Sequence, residues 1–322
     1  MTKRKFLIDS DAASDDVVAL MMALRHPEIE VEAITVVAGN VEVDQCARNA
    51  LYTAELCDSE VPVYRGAERP LRREPVHAHE VHGTDGLGDM NYPPPKRGVA
   101  EGFAPEVIVD TIGAHPDLVL VTLGPLTNIA LALERDPSIA KRVSRCVVMG
   151  GVACTVGNIT PAAEYNIWVD PEAAQTVFQS GLPIEMVGWE LSRGEAKLSL
   201  TEVDEVRGFA TPQAEFAIDC NRTLLEFSGG LDGEKGIDLP DPVAMAVAID
   251  PEICNRSGKH YVQVETDSEL TRGMTVVDEL GVAGWDHNRA VWGDLVERGP
   301  NVTVCWSIDV PAFKRLLYRS LR

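Results

Sequence analysis

Four aspartates lie within eight consecutive residues near the beginning of the sequence, at positions 9, 11, 15 and 16. An apolar run at residues 6–8 precedes them, and apolar side chains at helical spacing follow over residues 17–24. This pattern predicts a buried strand, a tight loop and a helix whose first turn carries carboxylates. Crowded carboxylates repel one another, which raises their pKa values, and the next basic residue is Arg25. Ligands that are all oxygen atoms suit Ca²⁺ or Mg²⁺, so the loop is a candidate metal site.

A solvated acidic loop, with Asp15 as the cap of the following helix, is the alternative interpretation of this stretch. It accounts for one or two aspartates but not for a group of four directly after a buried strand, so we favour the metal site. An EF-hand is excluded, because Ser14 stands where the turn glycine belongs and Leu20 stands where a bidentate glutamate is required.

The composition limits the classes of partner and compartment. The chain has 322 residues, 45% of them apolar, and a net charge of −21 at pH 7. Such acidity argues against nucleic acid and anionic membranes as partners. The seven cysteines form no C-x-x-C pair, which argues against a zinc site or a disulfide framework. The sequence has neither a signal-peptide pattern nor an apolar run of transmembrane length, so we expect a cytosolic protein.

Segments typical of strands and of helices alternate along most of the chain. Several predicted strands, such as residues 118–122, are apolar throughout, which is typical of a parallel sheet covered on both faces. We predict an α/β fold with an open, mostly parallel sheet flanked by helices, a Rossmann-like core and additional C-terminal helices. Residues 199–260 are expected to be mostly helical, and residues 1–322 to form a single domain. The long irregular segment 66–102 is expected to be functional.

Polar residues follow the ends of several predicted strands. Asp9 to Asp16 follow the first strand and Asn40 the second, and residues 123–128 and 150–166 follow two later ones. Ligand sites in open α/β sheets lie beyond the carboxyl ends of the strands, so we expect these segments to share one edge. That edge carries acids and amides but almost no cations, which makes phosphate a poor ligand. It suits sugar hydroxyls held around a divalent cation.

Six blocks of residues stand in order along nearly the whole chain. They are residues 9–16, Val37-Ala38-Gly39-Asn40, His82-Gly83, Gly124-Pro125-Leu126-Thr127-Asn128, Met149-Gly150-Gly151 with Glu164-Tyr165-Asn166, and Asp241-Pro242. One acidic loop alone would be a weak signal. The blocks together resemble the inosine–uridine nucleoside hydrolase family.

The resemblance implies calcium-dependent hydrolysis of the N-glycosidic bond of a ribonucleoside, which releases ribose and a free base. The implied calcium ligands are the carboxylates of Asp11, Asp16 and Asp241 and the backbone carbonyl of Leu123. Asp11 is also implied as the general base on a calcium-bound water, with Asp9 behind the metal ligands. The implied ribose ligands are Asp15, Asn40 and Asn166 for the 2′- and 3′-hydroxyls, and Asn158 with Glu164 for the 5′-hydroxyl. The family forms homodimers and homotetramers.

The chemistry of N-glycoside cleavage agrees with these roles. The reaction passes through an oxocarbenium-like state, as other glycoside hydrolyses do. Carboxylates around the sugar stabilise the positive charge that develops on it. Ca²⁺ lowers the pKa of bound water less than Zn²⁺ does, so a carboxylate base is still required.

Two positions depart from the pattern of the family. Ala12 and Ala13 stand where many members have Pro-Gly, which changes the stiffness of the loop but removes no ligand. Pro240 stands where many members have a histidine that is proposed to protonate the leaving base, and proline cannot donate a proton. His82 is the first candidate for this task. The alternatives are aromatic stacking of the base, a residue of segment 215–235 such as Arg222, and His287.

Several assignments have alternatives. Thr127 and Asn128 are expected to cap a helix, and Asp241 before Pro242 would be a cap without the resemblance. A haloacid-dehalogenase-like phosphatase also begins with a strand and Asp-x-Asp, but it requires Gly-Thr where Ala12-Ala13 stand. A ribose- or nucleoside-binding protein with weakened catalysis is the other alternative. The preferred base, whether purine, pyrimidine or another ribosylated group, is left open.

Overall fold

The computed structural model describes residues 3–227, 235–292 and 299–322. The strands are β1 (Arg4–Ser10), β2 (Ile29–Val36), β3 (Val63–Arg65), β4 (Val119–Thr122), β5 (Arg145–Met149), β6 (Ile184–Val187), β7 (Leu198–Ser199), β8 (Gly236–Ile237), β9 (Cys254–His260), β10 (Val262–Val264), β11 (Thr275–Val277) and β12 (Val302–Ile308). The α-helices are α1 (Ser14–Leu24), α2 (Val43–Leu56), α3 (His79–His82), α4 (Ala104–Ala114), α5 (Thr127–Arg135), α6 (Tyr165–Val169), α7 (Pro171–Phe178), α8 (Leu200–Arg207), α9 (Pro212–Asp219), α10 (Arg222–Phe227), α11 (Pro240–Ile249), α12 (Arg289–Trp292) and α13 (Val310–Leu321).

Eight of the described strands form the central sheet, in the order β3-β2-β1-β4-β5-β6-β12-β9. Neighbouring strands are parallel except β12 and β9, which are antiparallel. The first six strands have the order of a doubly wound sheet, which reverses direction between β1 and β4. These two strands pair from Phe6 with Val119 to Asp9 with Thr122. The carboxyl ends at such a reversal form a crevice in which ligands bind.

Helices cover both faces of this sheet, as the apolar strands require. Phe6 and Ile8 of β1 pack on one face in a cluster with α1, α2, α11 and α13. Leu7 between them packs on the other face with α4, α5 and α7. Successive side chains of a strand point to opposite faces, so a strand buried on both sides is apolar at consecutive positions. The predicted mostly parallel sheet, flanked by helices, is confirmed.

The prediction for residues 199–260 is correct only in part. Helices α8, α9, α10 and α11 lie within this range, but Cys254–His260 forms strand β9 at the edge of the sheet. The sequence of β9, CNRSGKH, is polar at nearly every position and none of its residues is fully buried. It therefore lacks the apolar alternation by which a strand is recognised. Backbone pairing with β12 makes it a strand.

Three of the four Asp-Pro pairs, at residues 136, 170 and 250, begin helical turns. Asp136, Asp170 and Asp250 each accept a hydrogen bond from a backbone N–H of the turn that follows. Asp241 differs, because α11 begins one residue earlier, at Pro240, and the side chain of Asp241 makes no cap. Its carboxylate is buried instead and is available for another role.

The prediction that Thr127 and Asn128 cap a helix is wrong. Neither side chain caps α5, whose first turn receives no side-chain hydrogen bond. The fully buried Asn128 amide donates to Asp9 Oδ1 (2.8 Å) and accepts from the backbone N–H of Ala67 (2.9 Å). The Thr127 hydroxyl donates to Asp170 Oδ2 (2.7 Å). Both residues therefore connect loops at the carboxyl edge of the sheet.

None of the helices in residues 3–227, 235–292 and 299–322 has the length and apolarity needed to span a membrane.

All seven cysteines are free thiols, and four of them are buried, as expected for small apolar residues. The buried cysteines are Cys46, Cys146, Cys220 and Cys305.

Candidate active site

The loop between β1 and α1 is held in shape by one of its own carboxylates. Asp16 accepts hydrogen bonds from the hydroxyl of Ser10 (2.7 Å) and from the backbone N–H of Ala13 (3.0 Å). The backbone N–H of Ala12 donates to the Ser10 hydroxyl (2.9 Å). Ala12 has a φ of 41°, a left-handed conformation that costs a residue with a side chain about 1–2 kcal/mol. The loop therefore contains a strained turn between its carboxylates.

Carboxylates from two distant parts of the chain meet at this loop. One carboxylate oxygen of each of Asp15, Asp16 and Asp241 lies within 4.8 Å of the other two. The three side chains are buried, with exposed fractions of 5%, 0% and 3%. Asp11, also fully buried, interacts with both Asp15 and Asp16. The three carboxylates that the structure places close enough to share a metal ion are therefore Asp15, Asp16 and Asp241, whereas the family resemblance implied Asp11 in the place of Asp15.

Burial of these carboxylates has a large electrostatic effect. It raises the pKa of Asp11 and of Asp15 to about 7, from an ordinary value of 3.8. Burial, together with the charges of neighbouring carboxylates, raises the pKa of Asp16 and of Asp241 well above 3.8. Among the described residues, no lysine or arginine forms an ion pair with any of these four side chains. The cluster therefore lacks a compensating positive charge from that part of the chain.

Three carboxylate oxygens of the cluster make no hydrogen bond within the described part of the chain. They are Asp11 Oδ1, Asp15 Oδ1 and Asp241 Oδ1. A buried polar atom without a partner costs free energy, because it has lost its hydrogen bonds to water. A hard divalent cation satisfies several such oxygens at once and supplies the missing charge. The residues present therefore fit Ca²⁺ or Mg²⁺.

Asp11 is held by backbone from two other strand ends. The backbone N–H of Asn40, beyond β2, donates to Asp11 Oδ2 (2.7 Å). A Cβ atom at Gly39 would overlap this oxygen, and a Cβ at Gly124, beyond β4, would lie 2.7 Å from Asp11 Oδ1. Only glycine allows the backbone to approach the carboxylate this closely at both positions. These contacts fix the direction in which Asp11 points.

A cavity of about 290 Å³ opens over the acidic cluster. The predicted site residues that line it are Asp15, Asn40, His82, Leu123, Asn158, Glu164, Asn166 and Asp241. Asp11 and Asp16 are fully buried and do not belong to the lining. Among the described residues, the lining contains no lysine or arginine.

Three polar residues of the lining are fixed by hydrogen bonds to backbone. The Asn166 amide donates to the backbone carbonyl of Leu123 (2.9 Å), which leaves that carbonyl its second lone pair. The carboxylate of Glu164 accepts from the backbone N–H of Asn166 (2.8 Å), and burial raises its pKa to about 7. The side chain of Asn158 accepts from the backbone N–H of Tyr165 (2.9 Å). The cavity wall is therefore preorganised.

His82 lies on the short helix α3 within an otherwise irregular segment, with its imidazole in the cavity wall. Its Nδ1 is 2.7 Å from the hydroxyl of Ser14 and 3.9 Å from Asp15 Oδ1, beyond hydrogen-bonding distance. Burial lowers the pKa of His82 to about 4. The imidazole is therefore neutral at pH 7.

The other residues considered as proton donors to the leaving base lie outside the described lining of the cavity. Arg222 and His287 are exposed and do not belong to the described cavity lining. Residues 228–234 of the segment 215–235 are outside the described residues. The sequence analysis missed several lining residues, which are Trp189, Leu224, Phe227 and Asp238. Of these, Trp189 lies two residues beyond the end of β6, so the rule that ligand sites lie beyond the strand ends, which identified Asn40, also applies to it.

Comparison with known proteins decides the family. Residues 6–315 match the model of the family described as inosine-uridine preferring nucleoside hydrolase. The chain belongs to this family. Membership establishes an enzyme of the nucleoside hydrolase class, from a metal-dependent family, and supports hydrolysis of the N-glycosidic bond of ribonucleosides.

Relatives of this nucleoside hydrolase carry names that refer to different bases. It is 36% identical to the pyrimidine-specific ribonucleoside hydrolase of Salmonella schwarzengrund over 319 residues, which cover 98% of this chain and 97% of that one. It is 36% identical to uridine nucleosidase 1 of Arabidopsis thaliana over 309 residues, 95% of this chain and 89% of that one. The solved structure of a purine-preferring ribonucleoside hydrolase from Gardnerella vaginalis matches with a TM-score of 0.87 and 31% identity, covering 99% and 98% of the two chains.

We predict that Gly39→Ala weakens the binding of a divalent cation, with Ca²⁺ as the probe, about 10–100-fold, the usual cost of disturbing a group beside a metal site. The added Cβ displaces the Asp11 carboxylate and breaks its hydrogen bond from Asn40. Calorimetric titration of the chelator-treated protein measures the effect. Gly98→Ala is the matched control, because a Cβ atom at Gly98 would meet no atom within 4 Å. The affinity of this variant for the metal is expected to be unchanged. Equal affinities for the two variants would contradict the assigned role of Asp11.

We also predict that the melting temperature of the metal-free protein falls as pH rises from about 4 to about 7. The pKa values of Asp11, Asp15 and Glu164 are raised to about 7, so in this window the folded state binds more protons than the unfolded state. Scanning calorimetry in chelator measures the slope. Because Ca²⁺ binds ionised carboxylates, it should raise the melting temperature more at about pH 8 than at about pH 5. A melting temperature in chelator that does not change with pH would contradict the burial of these groups in the metal-free state.

Proposed function

We propose that this nucleoside hydrolase is a calcium-dependent N-ribohydrolase, with Asp11 as the general base. The proposal rests on the fact that an acidic cluster and a set of polar side chains lie in the same crevice. Buried carboxylates with unsatisfied oxygens form one end of the cavity, and fixed amide and carboxylate groups suited to ribose hydroxyls line its wall. The crevice lies where the strand order reverses, the usual ligand position in this class of sheet.

The metal we propose is Ca²⁺, held by Asp11, Asp16, Asp241 and the carbonyl of Leu123, with Asp15 at the side of the ribose. A ligand set of carboxylates and a backbone carbonyl is characteristic of Ca²⁺, which accepts six to eight oxygens in flexible geometry. When bound, the cation would supply Lewis acidity that lowers the pKa of a water molecule and would chelate neighbouring ribose hydroxyls. This ligand set is supported by the proximity of Asp16 and Asp241 and by the free oxygen of Asp11.

Asp11 is suited to removing a proton from the attacking water. One of its oxygens is fixed by the Asn40 backbone N–H, and the other, Oδ1, makes no hydrogen bond among the described residues. These two features leave Asp11 Oδ1 available to accept a proton, as a general base requires.

Ribose would be bound by the polar groups of the cavity wall. Asp15, Asn40 and Asn166 are proposed to hold the 2′- and 3′-hydroxyls, and Asn158 with Glu164 the 5′-hydroxyl. The side chains of Asn158, Glu164 and Asn166 are already fixed by hydrogen bonds to backbone, so little conformational entropy is lost in them when the substrate binds. The carboxylates beside the sugar would stabilise the positive charge of the oxocarbenium-like transition state more strongly than the neutral ground state.

His82 is proposed to assist the leaving base as a neutral hydrogen-bond donor. Pro240 lines the cavity and has no proton to give, so the base requires another donor. The burial of His82 lowers its pKa to about 4, so its imidazole is not protonated at neutral pH. A neutral imidazole still has one N–H, and such groups stabilise charge that develops on a substrate. Phe227 and Leu224 provide an apolar surface in the same cavity for the base.

A binding protein with weakened catalysis is the second candidate function, and Pro240 is the observation that favours it. Such a protein would retain the metal and ribose ligands but release little product. The phosphatase alternative is disfavoured, because the described lining of the cavity contains no lysine or arginine to hold phosphate. We also propose a cytoplasmic location, which is supported by seven free thiols that suit a reducing compartment.

We predict that Asp11→Ala lowers kcat by about 10²–10⁴-fold, the usual contribution of a positioned base. Release of reducing sugar from uridine, cytidine, inosine and adenosine measures turnover, with and without EGTA, which should also abolish activity. Asp204→Ala is the control, because Asp204 is exposed on α8, and the activity of this variant is expected to be unchanged. A near-normal rate for a folded Asp11→Ala protein would refute the base assignment. Binding of nucleosides without release of sugar by the wild type would favour the second candidate.

We predict that His82→Ala lowers kcat on natural nucleosides by about 10²-fold, the effect of removing one hydrogen-bond donor from a transition state. Hydrolysis of nitrophenyl riboside should be nearly unaffected, because its leaving group needs no proton. Steady-state kinetics on both substrates test this difference. His115→Ala is the control, since His115 contacts Glu32 and does not belong to the described cavity lining. Equal losses on both substrates would count against His82 as the donor.

A further inference from the structure

The hydroxyl of Ser14 contacts His82 at short distance. Ser14 Oγ lies 2.7 Å from His82 Nδ1, although the two residues are far apart in sequence. Ser14 is fully buried and His82 is 8% exposed, so water does not compete strongly for this hydrogen bond. Ser14 stands directly before Asp15 and opens α1. It therefore joins the acidic loop to the helix that carries His82.

Local structure does not account for the hydroxyl of Ser14. A serine at the beginning of a helix usually accepts a hydrogen bond from a backbone N–H of the first turn. Here Ala13 occupies the capping position, and the helix receives no cap from the Ser14 side chain. The backbone of Ser14 is fixed separately, because its carbonyl accepts from the Asn221 amide (3.1 Å). The side chain is therefore free to act on the imidazole.

The backbone of His82 is fixed at both ends without Ser14. Its N–H donates to the carbonyl of Ala78 (3.0 Å), and its carbonyl accepts from the N–H of Gly88 (2.8 Å). The imidazole itself turns about a torsion with two broad minima, which exchange the positions of its nitrogen and carbon atoms. The hydrogen bond from Ser14 selects one of these orientations. It occupies Nδ1, so only Nε2 is available to a ligand in the cavity.

The hydroxyl also selects the tautomer. A buried hydroxyl hydrogen requires an acceptor, and the bond to His82 Nδ1 is the one that Ser14 Oγ makes within the described residues. If Ser14 donates, Nδ1 is the acceptor and the ring hydrogen is on Nε2. The opposite tautomer would leave the Ser14 hydrogen without an acceptor and would present a lone pair, not a donor, to the cavity.

We propose that Ser14 is a positioning residue for departure of the base: its hydroxyl donates to His82 Nδ1 and so directs the Nε2–H of His82 toward the leaving base. The proposal rests on the proposed function of His82 as a neutral donor. In this proposal the loop that carries the expected metal ligands also determines which nitrogen of His82 donates a hydrogen bond to the base. The substrates that need this device are nucleosides whose base leaves with a developing negative charge on nitrogen or oxygen.

The experiment compares three variants of the calcium-loaded enzyme, Ser14→Ala, Ser14→Thr and Ser320→Ala. Ser320→Ala is the matched control, because Ser320 is also buried and its hydroxyl donates to a backbone carbonyl (2.6 Å) far from the cavity. We expect Ser14→Ala to lower kcat on uridine and inosine about tenfold, the value of one neutral hydrogen bond, with little change in KM. Its kcat on nitrophenyl riboside should be unchanged. Ser14→Thr should restore most of the activity, and Ser320→Ala should show no selective loss.

A double-mutant cycle tests whether Ser14 acts through His82. Ser14→Ala should have no further effect on kcat in a His82→Ala background, because the group that it positions is absent. An equal further loss in that background would overturn the proposal. So would a loss of similar size on nitrophenyl riboside, or a weaker affinity for Ca²⁺ in Ser14→Ala, since either result would mean that Ser14 supports the acidic loop instead.

The imidazole nitrogen shifts of His82 give a readout that does not depend on activity. With ¹⁵N-labelled histidine and His82→Gln for assignment, the wild type should show hydrogen on Nε2 only. Ser14→Ala should show a mixture of tautomers, and Ser14→Thr the pattern of the wild type. Hydrogen on Nδ1 in the wild type would overturn the proposal. Failure of the wild type to hydrolyse any nucleoside would refute the proposed function, whereas the nitrogen shifts would still decide the role of Ser14.

Discussion

Mutual repulsion of buried carboxylates is the constraint around which this nucleoside hydrolase is built. Buried carboxylate oxygens of Asp15, Asp16 and Asp241 lie within 4.8 Å of one another. Desolvation and like charge both oppose their ionisation, and the surrounding backbone only partly compensates. The fold sustains this arrangement because rigid neighbours leave the side chains little room to separate. A divalent cation would attract each of these carboxylates and so offset their mutual repulsion, which favours binding of the cation.

The sheet explains why these groups can meet at all. Reversal of the strand order between β1 and β4 opens a crevice, and the loops that follow neighbouring strands converge on it. Gly39 and Gly124 allow two of those loops to approach Asp11 closely, and Asn128 fixes Asp9 behind it. Apolar side chains on both faces hold the strands rigidly in register. Precision at the site is therefore a property of the sheet edge and not of any single loop.

Strong periodic signals made the parallel sheet and its carboxyl edge predictable from sequence. Spacing of apolar residues identified the strands, and strand ends identified Asn40, Leu123 and Asn166 as neighbours of the aspartates. Strand β9 was missed because backbone pairing with β12 overrides a polar sequence. Asn128 was mistaken for a cap because its partners, Asp9 and Ala67, are distant in sequence. A side-chain hydrogen bond between remote segments leaves no local pattern, and the contact of Ser14 with His82 was hidden for the same reason.

The position of Asp241 has a consequence for the way the molecule comes apart. Asp16 belongs to the first helix and Asp241 to a helix near the other end of the chain, and α1 and α11 pack against each other. An ion held between them would close a very long loop, much as a disulfide does, but without a covalent bond. Both helices must be docked before the two carboxylates can share one ion. Bound metal would therefore be expected to slow unfolding more than it accelerates folding.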